Sequence, residues 1–150
     1  MLKILKAEFL DLPDILLLQK ISYQSEAELN NDYSIPPLME VLEELQEEYK
    51  TGIVFKAVED NYDKIIGSVR GYTREKTLFI GKLIVHPEHQ NKGIGKQLLR
   101  HLENYFPEYR YELFTSAKSL KNLALYQKEG YCEFKRVMIN KKLELIFLEK

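Results

Sequence analysis

The chain has 150 residues, a formal net charge of −1, 45% hydrophobic residues and 30% charged residues. That length builds one domain, residues 1–150, with a real hydrophobic core, and the composition is that of a soluble globular protein. The near-zero charge and the want of a dense Lys/Arg stripe exclude a nucleic-acid partner.

Cys132 is the single cysteine, so no internal disulfide forms and a reducing compartment fits. The opening MLKILKAEFLDLPD has a short apolar patch broken by Lys6, Glu8 and Asp11, and reads without a secretory leader. No apolar run approaches the roughly 20 residues of a membrane span. The expected address is the cytoplasm, with no membrane partner.

In chain order, residues 2–8 read as a strand. Asp11 with Pro13 marks a helix start, and Ile15, Leu18 and Ile21 carry that helix to about Leu29. NNDYSIPP, 30–37, is a loop by composition. Residues 38–50 form a second helix with Leu38, Val41, Leu42 and Leu45 on one face. The period then changes to that of strands at 52–59, 64–75 and 76–86, with DNYD as a turn after the first. Residues 93–106 form an amphipathic helix with a stripe of Ile94, Leu98, Leu99, Leu102 and Phe106. A strand at 109–117 and a helix at 119–129, closed by Gly130, lead to two final strands joined by Asn140 and Lys141. The order β-α-α-β-β-β-α-β-α-β-β mixes hairpins with crossovers. It specifies an α/β fold (α+β, mixed sheet) rather than a doubly wound one.

The third of these helices opens on HPEHQNKGIGKQLL. A helix amino end presents about four unpaired N–H groups and roughly half a positive charge, which suits an anion. The dinucleotide pattern fails, since Gly93 and Gly95 are followed by Leu98. The P-loop fails too, since Gly95-Lys96 is followed by Gln97. What remains is Q-x-x-G-x-G, Gln90 to Gly95, after the strand Leu83-Ile84-Val85. Downstream, KSLKNLALYQKEGY places Asn122 and Tyr126 on a helix before Gly130 and Tyr131.

These two motifs, in this order, resemble those of the GNAT N-acetyltransferase superfamily. The element order resembles that fold along essentially the whole chain, the first 50 residues by pattern alone. The resemblance implies an acetyl-CoA-dependent N-acetyltransferase. Its acceptor would be a primary amine of a small molecule or peptide, attacking the thioester directly. It further implies that Asn91, Lys92, Gly93, Ile94, Gly95 and Lys96 hold the CoA pyrophosphate. The main chain of Leu83, Ile84 and Val85 pairs with the pantetheine arm, Asn122 binds that arm, and Tyr126 sits by the sulfur. A homodimer is common in that family. A non-catalytic acyl-CoA-binding or regulatory module, and a structural domain with an unliganded loop, are the alternative readings.

The chemistry needs two proton transfers. A lysine-like amine, pKa about 10.4, costs about 4.6 kcal/mol to neutralise at pH 7, so a base helps. The leaving thiolate must be protonated, and Tyr126 is the candidate general acid. Glu112, on the strand after the motif helix, is the candidate base. Glu26 and Arg70 are candidate substrate contacts, Arg70 because a guanidinium in so apolar a strand suits a carboxylate or phosphate. His86, Glu88 and His89 match no zinc signature, and no metal is expected.

Overall fold

The computed structural model describes residues 1–59 and 64–150; the turn expected at DNYD lies outside the described residues. Strand β1 (Leu2–Lys6) leads through a short 3-10 turn into helices α1 (Leu12–Ser22) and α2 (Gln24–Asn30). A one-turn helix α3 (Pro36–Met39) precedes α4 (Leu42–Thr51). Strands β2 (Ile53–Glu59), β3 (Ile65–Arg74) and β4 (Thr77–Val85) are followed by α5 (Ile94–Tyr105) and β5 (Arg110–Ser116). Helix α6 (Leu120–Lys128) and strands β6 (Cys132–Asn140) and β7 (Leu143–Glu149) complete the fold.

The strands form one mixed sheet in the order β1-β2-β3-β4-β5-β7-β6. All neighbours are antiparallel except β4 and β5, which run parallel. Each sheet face has its own core. Ile94, Leu98, Leu99 and Leu102 of α5 pack with Phe55, Leu78 and Ile80 in one. Leu12, Ile15 and Leu18 of α1 and Leu45 of α4 pack with Val54 and Ile84 in the other. Val54 and Phe55 are neighbours on β2 yet serve opposite cores, as strand alternation requires.

Two helices expected as continuous are broken. The first turns at Tyr23 (φ −85°, ψ 1°), and α2 ends at Asn31 in the left-handed region, φ 49°. The second divides at Glu40 and Val41, both extended. The cause is tertiary. The Glu40 carboxylate turns inward to Arg70, 2.7 Å, and accepts from Gln19 at 2.8 Å. Val41 is left 49% exposed and starts α4 with its N–H bonded to Glu44. The hairpin turns also shift. Glu75 and Lys76, both at positive φ, make the β3–β4 turn. Lys141 and Lys142 make the last, with Asn140 Oδ1 accepting from the N–H of Lys142 and Leu143.

One irregularity shapes the centre of the sheet. Between Ser68↔Ile84 and Arg70↔Gly81, β3 advances two residues while β4 advances three. The extra residue is a bulge at Lys82, φ 49°. Bulges bend the strand that carries them. The parallel ladder of β4 with β5 runs Thr77↔Arg110, Leu78↔Tyr111, Phe79↔Glu112 and stops there. Beyond it the strands part.

Candidate active site

The parting of β4 and β5 opens a cavity of about 760 Å³. Gly81, Lys82 and Leu83 of β4 line one wall, and Thr115 and Ser116 of β5 with Asn122 and Tyr126 of α6 line the other. Tyr23, Glu26 and Asn30 cover it from the α1–α2 break. Leu83 lies in the wall. The Ile84 side chain turns away into the core with α1, and Ile84 pairs with Ser68 of β3 rather than facing the gap. The Val85 carbonyl accepts from Gln90 Nε2 and from Ser22 Oγ, both at 3.3 Å, so Gln90 braces the loop.

The loop after β4 ends in backbone that only certain residues adopt. Asn91 has φ 64° and Gly93, the N-cap of α5, has φ 78°. Left-handed backbone is easy for Gly and tolerated by Asn. Gly93 has no side chain to cap the helix, and the first intrahelical bond runs from Gln97 N–H to Gly93 O at 3.1 Å. The N–H groups of residues 94–96 are therefore aimed out of the helix end with no capping side chain. A Cβ at Gly93 would meet nothing within 4 Å, and one at Gly95 would first meet Leu125 at 3.6 Å. Neither glycine is demanded by internal crowding: the space beside Gly93 is open, and a Cβ at Gly95 would make ordinary contact with Leu125 and Val85. Lys92 and Lys96 are exposed on the same turn, while Ile94 anchors it in the core.

At the other end of α6, side chains converge on Glu26. Its Oε1 accepts from Ser119 Oγ at 2.5 Å and from Asn122 Nδ2 at 3.3 Å, and Asn122 also donates to Thr115 Oγ1 at 3.4 Å. Neighbouring Ser116 donates to Asn30 at 3.1 Å, tying β5 to α2. Burial pushes the Glu26 carboxyl above the ordinary range, against the lowering effect of the Ser119 hydroxyl. Tyr126 is 6% exposed, and its hydroxyl pKa is raised, by burial first and then by Tyr23 and Glu26. Tyr23 is raised likewise, by burial and by Glu26. Both phenols therefore hold their protons at neutral pH.

Glu112 lines the cavity but is paired with Arg110 at 2.8 Å, and Arg110 also holds Glu149 at 2.8 Å. Arg70, expected to meet a substrate anion, is engaged inside the protein. It contacts Glu40 at 2.7 Å, Gln19 at 2.8 Å and Glu48 at 2.8 Å. Burial would raise the Glu40 carboxyl, but the bonds from Arg70 and Gln19 outweigh it and hold the pKa low. Lys82 lies 3.8 Å from Glu40, and its pKa is lowered by burial and by Arg70. Tyr23 and Ser119 carry no motif and are missed by sequence reasoning. Ser119 alone had a signal, a serine just before a helix. Among the described residues no group of three or more His, Cys, Asp or Glu could hold a metal ion.

A strand pair that parts beside an open helix end defines a site for a ligand with an anionic end and an extended arm. Residues 18–131 match the model of the Acetyltransferase (GNAT) family, and the chain belongs to that family. A search of curated proteins finds no match. Among solved structures the fold is similar to the ribosomal-protein-S18-alanine N-acetyltransferase from Escherichia coli. The TM-score is 0.80 at 16% identity, with 99% of this chain and 92% of that one covered. It is similar to the PaiA N-acetyltransferase from Thermoplasma acidophilum in complex with coenzyme A. Here the TM-score is 0.80 at 18% identity, covering 100% and 99%. YncA from Salmonella typhimurium, solved with acetyl-CoA, gives 0.73 at 16%, covering 99% and 92%. At these identities the likeness is one of fold. Among the described residues no helix is long and apolar enough to cross a membrane.

Proposed function

We propose that this protein is an acetyl-CoA-dependent N-acetyltransferase that moves the acetyl group to a primary amine by direct attack on the thioester. The observation that carries this is the parting of β4 and β5: Glu26 and Tyr126 line the cavity between them, and β4 runs on from the cavity wall at Leu83 toward the glycine turn that opens α5. Open N–H groups at residues 94–96 and left-handed Gly93, with open space beside it, fit a pyrophosphate. The free edge of β4 beyond Phe79 fits an extended amide-bearing arm.

Acetyl-CoA supplies the electrophilic carbonyl; the chain's own residues move protons. In this reading the roles expected for Glu112 and Glu26 are exchanged. Glu112 is held by a guanidinium at 2.8 Å, whereas Glu26 takes only hydroxyl and amide donors and has a raised pKa. A carboxylate raised toward neutrality is the better base for an ammonium proton. Tyr126, kept protonated by burial, donates to the departing sulfur. Asn122 and Ser119 position Glu26 from α6, and Arg70 serves the frame rather than the substrate.

The test is release of free thiol from acetyl-CoA in the presence of an amine panel, with mass detection of the acetylated amine. Amine-dependent release supports the reading. Acetyl-CoA binding without any amine-dependent turnover would instead indicate a carrier-binding module.

A further inference from the structure

The acceptor end of the cleft has a floor that proton transfer does not use. Tyr72 of β3, Phe79 of β4, Phe114 of β5 and Phe147 of β7 all line the cavity. Register brings them together. Tyr72 lies opposite Phe79, Phe79 opposite Glu112, and Phe114 opposite Phe147. Tyr72 and Phe79 stack with centroids 5.1 Å apart and planes 17° from parallel, and Phe114 and Phe147 lie 5.3 Å apart. Tyr72 remains 49% exposed and Phe114 54%. Helices α1 to α4 cover the sheet elsewhere on this side; over these strands the rings face the cavity. An apolar floor with polar side chains along its walls is the form of a small-molecule site.

The charge around this floor has a sign. Glu112 sits between the two ring pairs and lines the cavity; it is held by Arg110, which also holds Glu149. Glu26 and Glu48 add carboxylates to the cavity wall. The cations that line the same cavity are engaged: Arg70 by Glu40 and Glu48 at 2.7 and 2.8 Å, and Lys82 beside Glu40 at 3.8 Å. The rings themselves carry cations at their margins, Arg74 over Phe79 at 5.5 Å and Lys135 over Phe147 at 4.4 Å. The cavity lining thus offers aromatic surface and three carboxylates, Glu26, Glu48 and Glu112, against two cations that are already partnered, while Arg74 and Lys135 stay outside the lining at the ring margins.

We infer that the acceptor is an arylalkylamine: a primary amine on an aromatic body that bears no carboxylate. This rests on the acetyltransferase reading above. The ring covers the aromatic floor and the amine reaches toward Glu26. The amine nitrogen bonds the acetyl carbon of acetyl-CoA as the carbon–sulfur bond breaks. The excess proton on nitrogen leaves to Glu26, and the CoA sulfur takes one from Tyr126. A carboxylate on the same ligand would face Glu48 and Glu112, which is why an amino acid is the informative competitor.

The experiment measures thiol release by the full chain with 2-phenylethylamine, phenylalanine, spermidine and an alanine-starting peptide, alongside calorimetry with acetyl-CoA. The expected result is a kcat/KM for 2-phenylethylamine at least tenfold above each of the others. Phe114→Ala, at an exposed ring, should raise the 2-phenylethylamine KM about tenfold and leave the acetyl-CoA Kd unchanged. Preference for spermidine or the peptide, equal use of phenylalanine, or an unchanged KM in Phe114→Ala would overturn the acceptor assignment alone. A chain that binds acetyl-CoA but releases thiol with no amine overturns the assignment and the transferase reading. A chain that binds no acetyl-CoA overturns the site as well.

Discussion

The two halves of the proposed site are built on different principles. The proposed carrier half is one contiguous stretch, residues 90–96, and would work through backbone N–H groups. The proposed acceptor half draws Glu26, Tyr72, Phe79, Phe114 and Phe147 from α2, β3, β4, β5 and β7, and would work through side chains. A backbone site needs a particular φ and an absent Cβ, which few residues supply. A side-chain site needs only that register bring suitable residues together, and register is a property of the whole sheet. The first kind leaves a local signature and the second does not.

The contrast is broken most severely at Glu26. Glu26→Gln should lower kcat roughly 10²–10⁴-fold while the acetyl-CoA Kd stays unchanged, measured by thiol release and calorimetry. Because the Glu26 pKa is raised, its basic form appears only as pH climbs past the ordinary carboxylate range, so wild-type rate falls on the acid side. That acid limb should vanish in the variant. A raised carboxylate also costs stability once it ionises, so Glu26→Gln should be the more stable protein at pH 7 and lose that advantage in acid. An equal loss of acetyl-CoA affinity would place Glu26 in the wrong half of the cleft.

Next in size is the frame. Arg70→Ala leaves Glu40, 7% exposed, as a buried carboxylate with no cation at 2.7 Å, and should cost about 3–5 kcal/mol in urea unfolding. The Glu40 pKa is depressed, so the stability it contributes is present above the ordinary carboxylate value. It is lost as pH falls through the depressed one. Glu40→Gln should flatten that acid decline. Tyr126→Phe should reduce kcat about 10²-fold with little change in acetyl-CoA binding, which sharpens the comparison from the chemical side. The smallest effect is conformational. Gly93→Ala puts a Cβ on backbone at φ 78° and should cost about 1–2 kcal/mol of stability, even though no atom lies in its way. A neutral result there would mean the loop relaxes freely and is not preset for an anion.

The same contrast explains what the sequence made legible. Gln90 to Gly95 after a strong strand, the Ile94–Leu102 stripe, and Asn122 with Tyr126 before Gly130 all rest on local rules, and the proposed carrier end and sulfur side are built on them. The break at Glu40 and Val41 was hidden because Leu38, Val41, Leu42 and Leu45 keep helical spacing through it. The force that breaks the helix comes from Arg70, thirty residues away. The sequence places Glu112 on a strand beside the expected cleft, and it lines the cavity; what the sequence does not show is that Arg110, two residues before it, closes back on its carboxylate. Tyr23 gave no sign at all. It gains its place from the turn between α1 and α2, which has no proline or glycine to announce it.

The central claim is that the amino end of α5 holds the anionic end of the carrier. Calorimetric titration of acetyl-CoA into wild type and Gly95→Glu tests it most directly. Gly95 lies inside the helix, an added Cβ there meets nothing closer than 3.6 Å, and a carboxylate in a first helical turn favours the helix. The variant should therefore fold with an undiminished melting temperature. The account predicts that wild type binds acetyl-CoA and that the variant, folded, binds it at least a hundredfold more weakly. Equal affinity in the two proteins would contradict it.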